Sequence, residues 1–140
     1  MKHFYFIFGL LILLQSCYFG AGLVEKQLSD NIHLIAINDL DDAEIIYASD
    51  GSSVYYTLIP QTVYSVGYNN DFIIAKIHPK DPAKGVLDNL TYYHIIEVDK
   101  VDDYNHDLTP SLTFEQYNSE RRRLKIPSKL EFTIDLKRDK

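Results

Sequence analysis

Between Asp99 and Asp107 the chain gathers its densest set of polar side chains: Asp99, Asp102, Asp103, Asn105, His106 and Asp107. Oxygen donors at alternate positions, Asp103-x-Asn105-x-Asp107, open a calcium-binding loop, because a hard dication collects carboxylate and amide oxygens at that spacing. The rest of that pattern is missing. Leu108 stands where glycine makes the sharp turn, and Phe114 stands where a bidentate glutamate closes the shell. Asp103, Asn105 and Asp107 are the metal candidates; the competing reading is a solvated loop with aspartates as turn formers. Histidines 33, 78, 94 and 106 offer a second metal chemistry. His78 and His94 with one aspartate would suit zinc if their strands pair, although nothing in the spacing demands it. Otherwise they are strand histidines with backbone partners. No cofactor is called for.

Tyrosine is the third resource, with eleven residues. Tyr55-Tyr56 and Tyr92-Tyr93 are doublets within strand-like runs. Neighbouring strand residues face opposite ways, so each doublet is expected to send at least one ring outward. Exposed tyrosines provide rigid, amphipathic contact area for a protein or glycan partner. The competing reading is that tyrosine favours half-buried strands. Nucleophilic catalysis finds little: there is no G-x-S-x-G and no H-E-x-x-H. Ser52 and Ser53 follow Asp50-Gly51 and fit a turn. An acid pair for glycoside cleavage assembles only in space, and no pair stands out along the chain.

The single cysteine, Cys17, sits at the exit of an apolar run. Met1-Lys2-His3 is a basic start, and Phe4 to Leu14 is apolar, broken only by Gly9. That run falls short of the roughly 20 residues a membrane-crossing helix needs, and fits the apolar region of a secretory signal. Leu14-Gln15-Ser16-Cys17 resembles the lipobox of bacterial lipoproteins. The resemblance implies a signal peptide over 1–16, cleavage before Cys17, and lipid (diacylglyceryl, palmitate) on its sulfur. Two or more acyl chains hold a protein on a bilayer where one barely does. Tyr18 is not the aspartate of an inner-membrane retention signal, so a Gram-negative host would place the chain at its outer membrane. Two other readings stand beside this one: a plain cleaved signal, and an uncleaved anchor in which residues 4–24 make one tilted span.

One cysteine excludes an internal disulfide framework and a multi-cysteine zinc site. A chain of 140 residues with net charge −6 reads as one domain that does not take nucleic acid as its main partner. The charge is uneven. From Cys17 to Leu112 there are 15 acids and 5 bases; from Thr113 to Lys140 there are 8 bases and 5 acids. Arg121-Arg122-Arg123 reads as a basic patch, but successive helix residues turn by about 100°, which spreads the three guanidinia around the helix.

The elements that must position these groups are mostly strands. Residues 17–31, with Gly20 and Gly22, are read as a tether, and 32–140 as one strand-rich globular domain. Glu44 to Ala48 and Val54 to Ile59 flank Asp50-Gly51, a hairpin signal expected to pair Tyr47 with Val54 and Ile45 with Tyr56. Thr62 to Tyr68 and Phe72 to His78 flank Asn69-Asn70, expected to set Val66 opposite Ile73 and Tyr64 opposite Ala75. Residues 79–89 read as a loop, 91–98 as a strand, and 99–110 as the acidic loop. Thr113-x-x-Gln116 is a capping box opening a helix that Pro127 stops. Phe114, Tyr117, Arg121 and Leu124 share its apolar face, where Arg121 snorkels. Leu130, Phe132, Ile134 and Leu136 then alternate with polar residues as a final half-buried strand. The fold class is α+β: an antiparallel β-meander of about six or seven strands with one C-terminal helix followed by a final strand.

Ile59-Pro60-x-x-Val63, Gly67-Tyr68-Asn69-x-x-Phe72-Ile73-Ile74-Ala75-Lys76, Thr91-Tyr92-Tyr93-His94-Ile95-Ile96 and Leu112-Thr113-x-Glu115 running into Leu124-x-Ile126-Pro127 together resemble a domain-of-unknown-function family of short bacterial lipoproteins. The resemblance covers most of Ile59 to Phe132. It implies a lipoprotein setting and a small α+β body, and transfers no functional residue. The expectation is therefore a membrane-anchored, extracytoplasmic module that binds a protein partner and is not an enzyme. The alternative is a small cell-envelope hydrolase whose site assembles only in space.

Overall fold

The computed structural model describes residues 23–51 and 53–136. The expected signal segment 1–16, the expected lipidation residue Cys17 and the start of the stretch read as tether lie outside the described residues. Among the described residues ten strands and one α-helix follow in order: β1 (Val24–Ser29), β2 (Ile32–Ala36), β3 (Glu44–Ala48), β4 (Tyr55–Ile59), β5 (Val63–Tyr68), β6 (Phe72–Ile77), β7 (Lys80–Asp81), β8 (Gly85–Val86), β9 (Tyr92–Glu97), α1 (Phe114–Arg123) and β10 (Ile134–Asp135). The fold is mostly antiparallel sheet with one C-terminal helix and a final strand, as the patterning implied. The strands form two four-stranded sheets, β1-β2-β3-β4 and β10-β5-β6-β9, with β7 and β8 a separate small hairpin.

Burial shows why the chain folds into layers. Leu34, Ile45 and Ile59 of the first sheet share one core with Val66, Ile73 and Ile96 of the second. The sheets therefore pack face to face. On the far side of the second sheet, Ile74 meets Tyr117, Ile126 and Leu130 in a smaller core beneath α1. The second sheet is thus covered on both faces, which explains the near-continuous apolar run of β6. Each fully buried aliphatic side chain in these layers contributes about 1.5–3 kcal/mol of transfer free energy.

Several expectations change in detail. Val24–Ser29, within the stretch read as tether, is a strand paired along β2. Its one deeply buried residue, Leu28, gives no periodic signal by itself. In the first hairpin Tyr47 faces Tyr56 rather than Val54, and Ile45 faces Ile59 across a bulge. In the second, Val66 faces Ala75 rather than Ile73. Near both turns the register lies two residues from the expected one. Asn69 explains the second shift: its side chain accepts from the amides of Asp71 and Phe72, centring the turn one residue later. A shift of two preserves which side chains face the core, so the hydrophobic pattern could not detect it.

The alternating stretch after α1 is also not one strand. Only Ile134 and Asp135 pair with β5. Leu130 and Phe132 pack under the helix, whereas Ile134 and Leu136 reach the inter-sheet core. The chain crosses β5 at Gly67, where a Cβ would lie 2.1 Å from the Glu131 carbonyl oxygen. Only glycine allows that approach. The capping box is present as read: Thr113 Oγ1 accepts from the Gln116 amide, and Gln116 Oε1 accepts from the Thr113 amide. Arg121 does not snorkel to water. Its guanidinium donates to the carbonyls of Pro127 and Leu130, 2.9 Å each, and fastens the turn after α1.

Candidate functional site

The segment between β9 and α1 joins the two sheets at one corner of the molecule. Asp102 makes its tight turn, accepting from the amides of Tyr104 and Asn105 at 2.8 and 2.9 Å. Tyr47 in β3 donates its hydroxyl to Asp103 at 2.8 Å. His106 stacks on Tyr56 of β4, with ring centroids 3.7 Å apart. Thr109 donates its amide to the Leu58 carbonyl at 2.9 Å. Leu112 exchanges two backbone hydrogen bonds with Tyr93 of β9. These contacts tie the loop to β3, β4 and β9, so its side chains are presented from a braced support.

Five large hydrophobic residues of these segments are exposed: Val54, Tyr55 and Tyr56 at the start of β4, and Tyr104 and Leu108 in the loop, with Tyr104 97% accessible. The two tyrosine doublets thus have different fates. Tyr55 and Tyr56 are exposed. Tyr92 packs against the inter-sheet core and Tyr93 under α1, 4.7 Å from the Tyr117 ring, because the second sheet has no bare face.

Of the metal candidates, Asn105 and Asp107 line one cavity together with Lys100, and Asp103 does not line it. Asp103 turns towards β3, where hydrogen bonds from Ser49 and Tyr47 hold its carboxyl below the usual range and raise the Tyr47 hydroxyl above its own. The Asn105 side chain donates to the Lys100 carbonyl, so its amide is committed to the loop. His78 stacks on Tyr64 and hydrogen-bonds Leu90, whereas His94 faces Ala75 across β6. Among the described residues no three His, Cys, Asp or Glu side chains are grouped to hold a metal ion.

His94 is the most perturbed group. It is fully buried. Nδ1 lies 2.9 Å from Thr109 Oγ1, and Nε2 lies 3.2 Å from Ser111 Oγ. Thr109 Oγ1 itself donates to the Leu58 carbonyl. With that proton committed, Thr109 accepts from Nδ1–H, and Nε2 is left to accept from Ser111. This is the tautomer a serine–histidine nucleophile needs. The electrostatics oppose it. Burial pushes the His94 pKa from 6.5 down to about 4, which makes it a poor base, and a hydroxyl stands where a carboxylate would stabilise the imidazolium. A cavity of about 510 Å³ opens nearby between β9 and α1, floored by Ile95, Leu112 and Leu124. Ser111 does not line it. The sequence reading missed Ser111, Thr109, Tyr104 and Leu108; each depends on where the loop packs, and no local pattern marks them.

A family model described as a protein of unknown function, DUF3997, matches residues 29–137. That match begins well before Ile59, so the family pattern includes most of the first sheet. No curated protein and no solved structure matches the chain.

Proposed function

The chain belongs to the DUF3997 family, and we propose that it is a lipid-anchored extracytoplasmic module that binds a protein partner through the corner formed by β4 and the loop before α1. The observation that carries the binding reading is the exposure of Tyr55 and Tyr56 on β4 and of Tyr104 and Leu108 on the loop braced against it. Exposed aromatic side chains with few degrees of freedom give contact area at low entropic cost. The anchoring reading rests on Cys17 at the end of the apolar run. No helix among the described residues is long and apolar enough to cross a membrane.

Metabolic labelling with a tagged fatty acid tests the anchor. The wild type takes label and Cys17→Ser does not; equal labelling of both sinks it. A photo-crosslinking residue at Tyr104 in the native host tests the surface. Capture of a defined protein, lost on replacing Tyr55 and Tyr56, supports the reading; no crosslink there ends it.

The Ser111–His94 contact supports a second reading, a small hydrolase. A fluorophosphonate probe that labels wild type and spares Ser111→Ala would establish it. Absence of labelling would dispose of it, and the missing carboxylate behind His94 makes that the expected result.

A further inference from the structure

The second sheet ends on β9, and part of that edge is open. Leu112 takes one place beside it, exchanging two backbone hydrogen bonds with Tyr93. In an antiparallel strand such outward-facing stations recur at every second residue. β9 keeps an unbroken register along β6, so the Ile95 amide and carbonyl and the Glu97 amide point the same way as those of Tyr93. Among the described residues nothing hydrogen-bonds these three groups. The chain's own loop stops short of them for a physical reason. The residue due opposite Ile95 is Pro110, which has no N–H to give. Thr109 is drawn away to β4, where its amide bonds the Leu58 carbonyl. The open stretch borders two cavities. The one of about 510 Å³ lies towards α1, over Ile95, Leu112 and Leu124. The other, of about 170 Å³, lies towards the loop at Val101 and Thr109, and Ile95 and Glu97 line both. The charges at this edge are paired with one another: Glu97 with Lys100 at 2.9 Å and Glu120 with Arg123 at 2.7 Å.

We propose that the gap beside β9 binds an extended, uncharged segment of a protein partner, added to the sheet as an antiparallel strand. Its backbone bonds Ile95 and Glu97, and one apolar side chain enters the cavity over Ile95, Leu112 and Leu124. A strand backbone is the occupant whose acceptors recur at the spacing of the two open amides, roughly 7 Å for every second residue. A lipid tail or a helix face has no such row and would leave buried amides without acceptors. Charge decides the rest. The edge charges already neutralise each other, so a charged segment would lose hydration and gain no counter-ion. Leu112 sets the direction, because it lies antiparallel to Tyr93. In that direction the residue opposite Ile95 turns its N–H to β9 and its side chain to the α1 side, where Tyr93 and Ile95 pack. The site lies apart from the exposed tyrosines of β4 and stands or falls independently of them.

The experiment follows amide hydrogen exchange and resonance shifts of the full chain in neutral detergent micelles. The probe is the peptide Ac-Thr-Val-Thr-Leu-Thr-Val-Thr-NH₂ in three forms: unmodified, N-methylated at its valines and leucine, and N-methylated at its two inner threonines. In the free chain the Ile95 and Glu97 amides exchange about tenfold or more faster than those of His94 and Ile96, which bond β6. The unmodified peptide slows both and shifts Ile95, Leu112 and Leu124. Methylation at the threonines leaves binding intact, because those N–H groups face away from β9. Methylation at the valines and leucine removes the donor opposite Ile95 and weakens binding about tenfold. Ser119→Trp plugs the cavity from its exposed wall and weakens binding by about as much, with an unchanged far-ultraviolet circular dichroism spectrum. Ile95 and Glu97 amides as slow as that of Ile96 in the free chain, equal binding of the three peptides, shifts away from β9, or no binding at millimolar peptide overturns the inference. Protection that grows with chain concentration in the absence of peptide overturns it too, and identifies a second copy as the occupant.

Discussion

Lowering the pH from 7 to 4 should weaken the fold through His94, and the size follows from its surroundings. The ring is fully buried, with a hydroxyl on each nitrogen and its pKa pushed down to about 4. In the unfolded chain the same histidine titrates near 6.5. Above that value both states are neutral and pH has no leverage. Between 6.5 and about 4 the unfolded chain binds a proton that the folded one refuses, so stability falls as the pH falls. Below about 4 both states are protonated and the loss is complete. At 1.36 kcal/mol per pH unit the total is about 3 kcal/mol, a large share of the stability of a small domain. Asp103 and Glu120 have lowered pKa values, so their own contributions fade only at or below the usual carboxylate range. The assay is urea unfolding at steps from pH 7.5 to 4, followed by circular dichroism, for wild type and His94→Gln. Glutamine keeps polar atoms at the site and cannot titrate. The wild type should lose about 3 kcal/mol more than the variant across this window. A difference between the two proteins that stays flat from pH 7 to 4 would refute the reasoning.

Gly67→Ala should destabilise by about 3 kcal/mol or more, because its Cβ meets the Glu131 carbonyl at 2.1 Å and that atom is backbone; thermal unfolding reads the loss. Arg121→Met should cost about 2 kcal/mol by leaving the Pro127 and Leu130 carbonyls without their donor, whereas Arg122→Met changes little; paired urea curves compare them. Thr113→Ala should cost about 1 kcal/mol, and Thr113→Ser much less, since the hydroxyl cap is what matters; helix loss by circular dichroism tracks both.

Much of the architecture could be read from local patterns. Asp50-Gly51 and the Asn69 turn marked two hairpins, and the capping box located the start of α1. What escaped is what local patterns do not encode. The two hairpin registers each differ by two residues, a change that leaves the inward faces unaltered. Val24–Ser29 is held as a strand by pairing with β2 and has only one deeply buried residue, so its periodicity is mute. The alternation of Leu130, Phe132, Ile134 and Leu136 was visible, but not that a crossing at Gly67 divides those residues between two cores.

The candidate site divides along the same line. Composition and order along the chain determined the acidic excess, the lone cysteine at the end of an apolar run, the tyrosine doublets and the strand-rich class, because these depend on residue type and near neighbours. Only tertiary structure decided that Tyr55 and Tyr56 are exposed while Tyr92 and Tyr93 are covered: the first sheet has one face on the core, and the second is packed on both. It also decided that Asp103 accepts the hydroxyl proton of Tyr47, 56 positions away. Partners that distant meet only because two sheets and a loop close on one another, and the free energy that closes them resides in the shared core.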